Sequence, residues 1–486
     1  MDAVPLCVDL DGTLVATDTL WESVRRIVGR RPWRLPGLGL ALLRGRVAFK
    51  AVTAAADDFE ADALPYREEV LDLVRRARSE GRPVLLVTAA HESVALEVAA
   101  HLGLFDEVLA TGDEENLKGA AKAAVLEGRF GRGGFDYVGD STADLAVFAV
   151  ARRAFLVAPS GSMARRARAL TEGRGETICR RPARLKALVA ALRPHQWSKN
   201  ALILAPALMG HDLPAASQAL AGIFAFVAFS LCASAGYVLN DLVDLDADRR
   251  HRSKRRRPFA RGDLPLYWGP FLVVALLAVS AGLAWIATPP IFVGLLGFYF
   301  LLSLGYSYAF KRRPVIDVLV LAGLYTLRLL SGGVAMGIEI SAWLLAFSTF
   351  LFFSLAMAKR YTELLALEGG RDEKIGRRGY LRRDLEMVAS MGPAAGYIAV
   401  LVFALYLNSD RVRMNYEEPF VLWLAAPLLL YWITRIWFLA HRGELDDDPV
   451  KFALVDPESW VCAGLVLLIA ALARYLPNID LIQLVP

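Results

Sequence analysis

From Ala201 onward the sequence is a succession of long apolar runs, whereas residues 1 to about 192 contain none of comparable length. That segregation limits the fold more than any other feature, because an apolar helix needs about 20 residues to cross the hydrocarbon core of a bilayer. Nine segments read as spans, at roughly 199–213, 216–237, 269–287, 290–309, 315–337, 342–358, 391–408, 419–440 and 459–476. The first is short, and Pro289-Pro290 reads as a tight turn between the third and fourth. The hydrophobic fraction of 56% is therefore an average over two unlike parts, a water-soluble head and a membrane body.

Loop charge orients the body. Residues 241–268 and 359–390 each carry eight Lys or Arg, while 409–418 holds only Arg411 and Arg413. Basic loops stay on the cytoplasmic side, so nine spans place the head in the cytoplasm and the C-terminus outside. The start, MDAVPLCVDLDGTL, lacks the basic and apolar regions of a signal peptide, in agreement with a cytoplasmic head. Residues 151–186 carry ten Lys or Arg against two Glu and read as a basic juxtamembrane linker. The charge suits either a seat on anionic lipid or a solvated helix face. No aromatic interleaving accompanies it, so nucleic-acid binding is not expected. The four scattered cysteines form no zinc or disulfide spacing.

Within the head, three short apolar runs end in polar clusters. Pro5–Val8 leads into Asp9-Leu10-Asp11-Gly12-Thr13, Pro83–Val87 into Thr88, and Phe135–Val138 into Gly139-Asp140-Ser141-Thr142-Ala143-Asp144. Helical patterns at 67–80 and 91–102 lie between them, so the head reads as α/β with a parallel sheet. Ligands bind beyond the carboxyl ends of such strands, where all three clusters fall. Asp9 can attack phosphorus and form an aspartyl-phosphate. Asp11 can protonate the leaving oxygen and then activate water. Thr88 can hydrogen-bond the phosphoryl oxygens, and Lys118, in Asn116-Leu117-Lys118-Gly119, can neutralise their charge. Asp140 and Asp144, with Asp9, offer hard oxygen ligands for Mg²⁺.

These residues resemble the four motifs of the haloacid-dehalogenase (HAD) phosphatases, present in order over about 140 residues. The resemblance implies a Rossmann-like core with a helical cap at about 18–62. The alternative, a phosphatase remnant kept as a scaffold, has against it that no catalytic position is replaced.

In the body the strongest signal is Asn240-Asp241-Leu242-Val243-Asp244-Leu245-Asp246-Ala247-Asp248. Read as a helix, it sets Asp241, Asp244 and Asp248 on one face and Asp246 on another. Converging carboxylates repel unless they bind cations, and these suit Mg²⁺ bridging a diphosphate leaving group. An acidic loop without an ion is the alternative. Arg328, inside the fifth span, is costly unless it faces a cavity or a partner. It reads as an anion ligand or as half of an ion pair. Asp446-Asp447-Asp448 lacks helical spacing and reads as a solvated loop.

The body resembles the UbiA superfamily of intramembrane transferases, whose hallmark NDxxDxxxD follows the second span. The likeness covers nearly all of residues 193–486 and extends to the polar motif Tyr306-Ser307-Tyr308-Ala309-Phe310-Lys311. Most members join an allylic diphosphate to an acceptor, and they commonly carry a second acidic motif in the loop after the sixth span. Here that loop reads Ala358-Lys359-Arg360-Tyr361-Thr362-Glu363-Leu364, basic instead. With this departure the chain resembles the decaprenyl-phosphate phosphoribosyltransferase branch, also over 193–200, 248–258, 314–318 and 328–333. The branch implies phosphoribosyl pyrophosphate as donor and a polyprenyl (decaprenyl) phosphate as acceptor. It implies Mg²⁺ on Asp241, Asp244 and Asp248, with Asn240 steadying the site. Lys254 and Arg257 would meet the donor's 5-phosphate, and Lys359, Arg360 and Arg328 the lipid phosphate. Lys199, Tyr306 and Lys311 are further substrate-binding candidates.

The expectation is a bifunctional membrane enzyme whose body makes a 5-phosphoribosyl lipid and whose head removes the 5-phosphate. Two rivals stand beside it: a prenyltransferase using an allylic diphosphate, and a lipid-phosphate-binding scaffold with a regulatory head. A homo-oligomer is compatible with the sequence.

Overall fold

The structure, a computed structural model, describes residues 3–56, 59–112, 117–209, 215–367, 378–445 and 449–475. Asn116 and Asp446-Asp447-Asp448 lie outside the described residues. The chain divides into two compact units, residues 1–192 with 237–273, and residues 193–236 with 274–486.

The first unit is built on six parallel strands: β1 (Leu6–Val8), β2 (Val84–His91), β3 (Glu107–Thr111), β4 (Asp136–Gly139), β5 (Arg153–Val157) and β6 (Gly175–Cys179). Their order is β3-β2-β1-β4-β5-β6. Leu6, Cys7 and Val8 are fully buried, as a parallel strand covered on both faces must be. Alternation sends Leu6 and Val8 into one apolar layer with Val74 and Val98, and Cys7 into the other with Tyr137 and Phe148. The register sets Val8 level with Leu86 and Val138, so Asp9, Thr88 and Asp140 emerge close to one level. The strand order reverses at β1, which makes this end the switch point where ligands bind.

The stretch expected to form a cap is helical. It holds α1 (Thr19–Arg30), Leu35–Leu43 and Arg46–Ala56. Asp18 caps α1 by accepting from the Leu20 and Trp21 amides. On the far side of the sheet runs α2 (Ala120–Phe130). The basic stretch 151–186, read as a linker, instead supplies β5, the helix Gly161–Leu170 and β6 over most of its length. The cause is the apolar run Ala154–Val157, which is buried as the fifth strand.

Residues 237–273 contribute the end of α3 (Ala216–Val243), then α4 (Leu245–Arg250) and the short helix Pro258–Arg261. Asp244 breaks the path between α3 and α4 and stands as the N-cap residue of α4.

Among the described residues, eight helices are long and apolar enough to cross a membrane: α3, Trp268–Ala287, Pro290–Arg312, α5 (Ile316–Met336), α6 (Ala342–Leu365), Arg382–Leu407, Pro419–His441 and Pro457–Tyr475. The expected first span is not among them. It forms a 3₁₀ stretch, Pro194–Ile203, and a short helix, Ala205–Met209. Polar side chains anchor it, with Trp197 Nε1 donating to Ser234 Oγ at 3.0 Å and Asn200 Nδ2 to Ser230 Oγ at 3.0 Å. The segment around Lys359 and Arg360 is also not a loop, because α6 continues through it to Leu365.

Gly332 of α5 lets Pro194–Ile203 approach closely. A Cβ there would lie 1.9 Å from the Ile203 carbonyl oxygen. Gly332→Ala should destabilise the purified protein by about 1–3 kcal/mol, as overpacking does. A lowered thermal midpoint in detergent would show it, and an unchanged midpoint would mean the two segments slide freely.

Candidate active sites

The first site lies where β1, β2 and β4 end. Asp9 follows β1, and its amide donates to the Val138 carbonyl at 3.1 Å. The chain then turns sharply at Gly12, with φ +74°. A Cβ on Gly12 would sit 2.2 Å from Asp140 Oδ2, so only glycine admits Asp140 at this distance. Thr13 Oγ1 donates to Asp140 Oδ1 at 3.3 Å. Asp11 Oδ1 accepts the Thr19 amide of α1 at 2.7 Å. Asp144 is fixed on both oxygens, by the Tyr137 hydroxyl at 2.9 Å and by the Ser141 amide and hydroxyl at 2.9 and 2.8 Å. Thr88 is buried within β2, and its Oγ1 accepts from the Ala90 amide at 3.0 Å.

The lysine of this site is Lys122, not Lys118. Lys122 Nζ donates to Asp9 Oδ1 at 2.8 Å and to the Tyr137 hydroxyl at 2.9 Å, and lies 3.9 Å from Asp144 Oδ1. Lys118 precedes α2 and is exposed, whereas Lys122 sits in the first turn and points into the core. The signal that could have found it is periodicity: Lys122, Ala123 and Leu126 form the buried stripe of α2.

Ligand oxygens of Asp9, Asp140 and Asp144 lie within 4.8 Å of one another. Among the described residues no other three His, Cys, Asp or Glu come so close. An all-carboxylate set of this kind fits a hard divalent ion such as Mg²⁺. The electrostatics agree. Burial, then the charges of Asp9 and Asp144, push Asp140 up to about 8. Burial and the charge of Asp18 raise Asp11 to about 7. Burial raises Asp9 to about 6 against the pull of Lys122. Burial alone would lower Lys122, but Asp9 and Asp144 outweigh it and keep the ammonium charged.

The aspartate motif forms the second constellation. Arg257 Nη1 donates to Asp248 Oδ2 at 2.5 Å and to Asp241 Oδ1 at 3.2 Å. A single guanidinium thus stands between two buried carboxylates, as a cation would. Asp241, Asp244 and Asp248 do not draw together as closely as Asp9, Asp140 and Asp144, and Arg257 lies on the aspartates instead of apart from them. Asp244 is half-buried and Lys254 exposed. Asp246 faces elsewhere, as its spacing predicted, and pairs with Arg25 at 2.5 Å.

In the second unit, Arg328 of α5 is buried. Its Nε donates to Asn200 Oδ1 at 2.8 Å, Nη2 to the Tyr299 hydroxyl at 2.9 Å and Nη1 to the Leu324 carbonyl at 2.7 Å. Its guanidinium lies 5.0–5.5 Å from the rings of Tyr299, Tyr325 and Phe229. No carboxylate among the described residues pairs with it. Arg360 is different. Fully buried on α6, it sits 2.9 Å from Asp317 Oδ2 and pairs with Glu363. Arg378 and Tyr380 complete that network, with the Tyr380 hydroxyl donating to Asp317 at 2.8 Å and Arg378 reaching the Tyr306 hydroxyl at 3.4 Å. Arg360 is therefore committed to carboxylates. Lys199, Lys311 and Lys359 are half-buried.

A parallel α/β head with a phosphoryl-transfer constellation, and a helical membrane body carrying an aspartate motif, define a membrane-bound transferase with a phosphatase-type domain. Residues 201–456 match the UbiA prenyltransferase family and residues 6–149 the haloacid dehalogenase-like hydrolases. The chain belongs to the UbiA prenyltransferase family and is a multi-pass membrane protein with a HAD domain ahead of its spans. It is 38% identical over 467 residues to the protein y4nM of Sinorhizobium fredii, covering 95% of this chain and 90% of that one. It is 35% identical over 288 residues to the decaprenyl-phosphate phosphoribosyltransferase of Mycobacterium tuberculosis, covering 58% of this chain and 92% of the relative. A UbiA homolog from Archaeoglobus fulgidus bound to DMAPP and Mg²⁺ aligns with a TM-score of 0.44 and 18% identity, over 60% of this chain and 99% of that one.

Two predictions follow from the first site. Lys122→Met should abolish phosphatase turnover, because Asp9 and Asp144 lose their shared cation, whereas Lys118→Met should keep most of it in the same assay. Mg²⁺ needs the ionised carboxylates, so protons held by Asp140 below about 8 and Asp9 below about 6 must leave on binding. Affinity should therefore rise from pH 6 to pH 8 by at least about tenfold. Calorimetry on the full-length Asp241→Asn chain, which leaves the head's site intact, reads this, and a flat profile would refute it.

Proposed function

We propose that the chain transfers 5-phosphoribose from phosphoribosyl pyrophosphate to a polyprenyl phosphate and then removes the 5-phosphate. The observation that carries the transferase reading is Arg328, a buried guanidinium held by neutral oxygens and aromatic faces with no carboxylate partner among the described residues. An uncompensated cation in a membrane helix is costly unless an anion joins it. Lipid phosphate is the anion that a bilayer supplies. The likeness of this half to decaprenyl-phosphate phosphoribosyltransferases supports the same choice.

In this reading Asp241, Asp244 and Asp248 hold Mg²⁺, with Asn240 steadying them. Mg²⁺ held by these residues would supply neutralising charge for the diphosphate leaving group. Arg257 and Lys254 donate to the phosphates of the donor. Arg328 and Lys359 orient the lipid phosphate, with Lys199, Tyr306 and Lys311 as further contacts, while Arg360 braces the wall through Asp317. An oxygen of the lipid phosphate attacks ribose C1. The bond from C1 to the diphosphate oxygen breaks, and its electron pair departs with the diphosphate. The attacking oxygen is already anionic, so positioning and charge stabilisation supply the catalysis.

In the head, Asp9 attacks the 5-phosphate and Asp11 gives its proton to the ribose oxygen that leaves. Lys122 balances the charge gathering on Asp9. Asp11 then takes a proton from the water that cleaves the aspartyl-phosphate, releasing phosphate and polyprenylphosphoryl ribose, a precursor suited to cell-envelope arabinan. The basic segments 241–268 and 359–390 put the donor's side in the cytoplasm, together with the head.

Mass spectrometry of lipids made by purified protein from Mg²⁺, phosphoribosyl pyrophosphate and decaprenyl phosphate tests both steps. Wild type should yield ribosyl lipid, and Asp9→Asn should accumulate the 5-phosphoribosyl lipid. Asp241→Asn and Arg328→Met should make neither. No phosphoribosyl lipid from wild type would overturn the reading in favour of allylic diphosphate donors or a scaffold.

A further inference from the structure

Helix α1 starts at the head's acid/base residue and is gripped along its length by the segment that carries the aspartate motif. At its start the Thr19 amide donates to Asp11 Oδ1 at 2.7 Å, and the Gly12 amide donates to the Thr17 carbonyl at 3.0 Å. Glu22, in the first turn, is fully buried. Its Oε1 accepts from Thr17 Oγ1 at 2.9 Å and from Arg249 Nη2 at 2.6 Å. Arg249 belongs to α4, one residue after Asp248. Its other donors reach the Ala63 carbonyl at 3.2 Å, beside the cap, and the Ala260 carbonyl at 3.2 Å, in its own segment. Every donor nitrogen of this side chain is thus used, across two parts of the unit.

One turn further along α1, Arg25 donates to Asp246 Oδ1 at 2.5 Å and to the Leu242 carbonyl at 3.5 Å. The backbones also meet. Gly262 has φ +80°, and a Cβ there would lie 2.1 Å from the carbonyl oxygen of Ala16. Ala16 belongs to the loop joining Asp11 to α1.

We infer that Arg249 and Gly262 are positioning residues of the phosphatase: they seat Glu22 and Ala16, and so fix the first turn of α1 whose Thr19 amide aims the Asp11 carboxyl. The inference rests on the phosphatase reading above. Asp11 is thereby set by the segment that also carries Asp241 and Asp248. A neutral residue at 249 removes the cation hydrogen-bonded to buried Glu22 and leaves only Arg25, 3.6 Å from its other oxygen. A methyl at 262 pushes on the Ala16 carbonyl. Either displaces Asp11 while leaving Asp9, Lys122 and Asp144 in place.

The discriminating property is proton donation. Phenyl phosphate needs a proton on its leaving oxygen, whereas p-nitrophenyl phosphate leaves well without one. Both esters are assayed with Mg²⁺ on the full-length chain in detergent, for wild type, Arg249→Met, Arg249→Lys, Gly262→Ala and Arg250→Met. Arg249→Met and Gly262→Ala should lose at least about tenfold more kcat/KM on phenyl phosphate than on p-nitrophenyl phosphate. Arg249→Lys should recover part of that loss. Arg250 meets Glu60 and Asp62 at the surface, so Arg250→Met should keep the wild-type ratio. Equal losses on the two esters, or wild-type ratios throughout, overturn the inference. If Arg249→Met and Gly262→Ala do not yield folded protein, Arg249→Lys alone decides: a larger loss on phenyl phosphate than on p-nitrophenyl phosphate supports it, and equal losses overturn it. A wild-type chain that hydrolyses neither ester strikes instead at the phosphatase reading itself.

Discussion

A carboxylate taken out of water must share its charge with a cation or take up a proton. Asp9, Asp144, Asp241, Asp248, Glu22 and Asp317 are buried, and the arrangement around each follows from that requirement. Asp9 and Asp144 share Lys122. Asp241 and Asp248 share Arg257. Glu22 is met by Arg249, and Asp317 by Arg360. Asp140 pairs with no such cation among the described residues and is pushed up to about 8 by burial and by its acidic neighbours. A hard metal ion would relieve that crowding.

The segment between α3 and Trp268–Ala287 folds with the head's sheet although residues 193–236 intervene in the chain. Charge complementarity accounts for this. Glu22, Glu60 and Asp62 of the head meet Arg249 and Arg250, while Arg25 meets Asp246. The buried members of this set fix geometry, since a lost partner leaves a charge stranded. The exposed Arg250 pairs contribute little by comparison.

Two buried arginines in the second unit illustrate how partners, not burial, decide availability. Arg360 sits among Asp317 and Glu363, so its charge is neutralised within the protein. Arg328 is held by Asn200, Tyr299 and a backbone carbonyl, which fix its direction, and it pairs with no carboxylate among the described residues. From sequence both are cations near membrane helices. Arg360 read as a loop residue because its run of basic and polar residues interrupts the apolar pattern, although α6 continues through it.

The parallel sheet, the helical membrane body and both acidic motifs were legible because each is written locally. Strand alternation, apolar runs of span length and the spacing of Asp9, Asp11, Asp140 and Asp144 need no distant partner. Long-range packing decided the rest. Lys122 displaced Lys118 because only the helix register of α2 turns it beneath Asp9. The segment before α3 failed as a span because Trp197 and Asn200 found hydroxyl partners on that helix. The linker supplied two strands because the edge of β4 was open to β5, and β5 in turn to β6. Nor does local sequence announce that Arg249 would close on Glu22, 227 positions away. Periodicity reports which face of an element is apolar; which charge meets which is settled only when distant elements bury them together and water can no longer screen them.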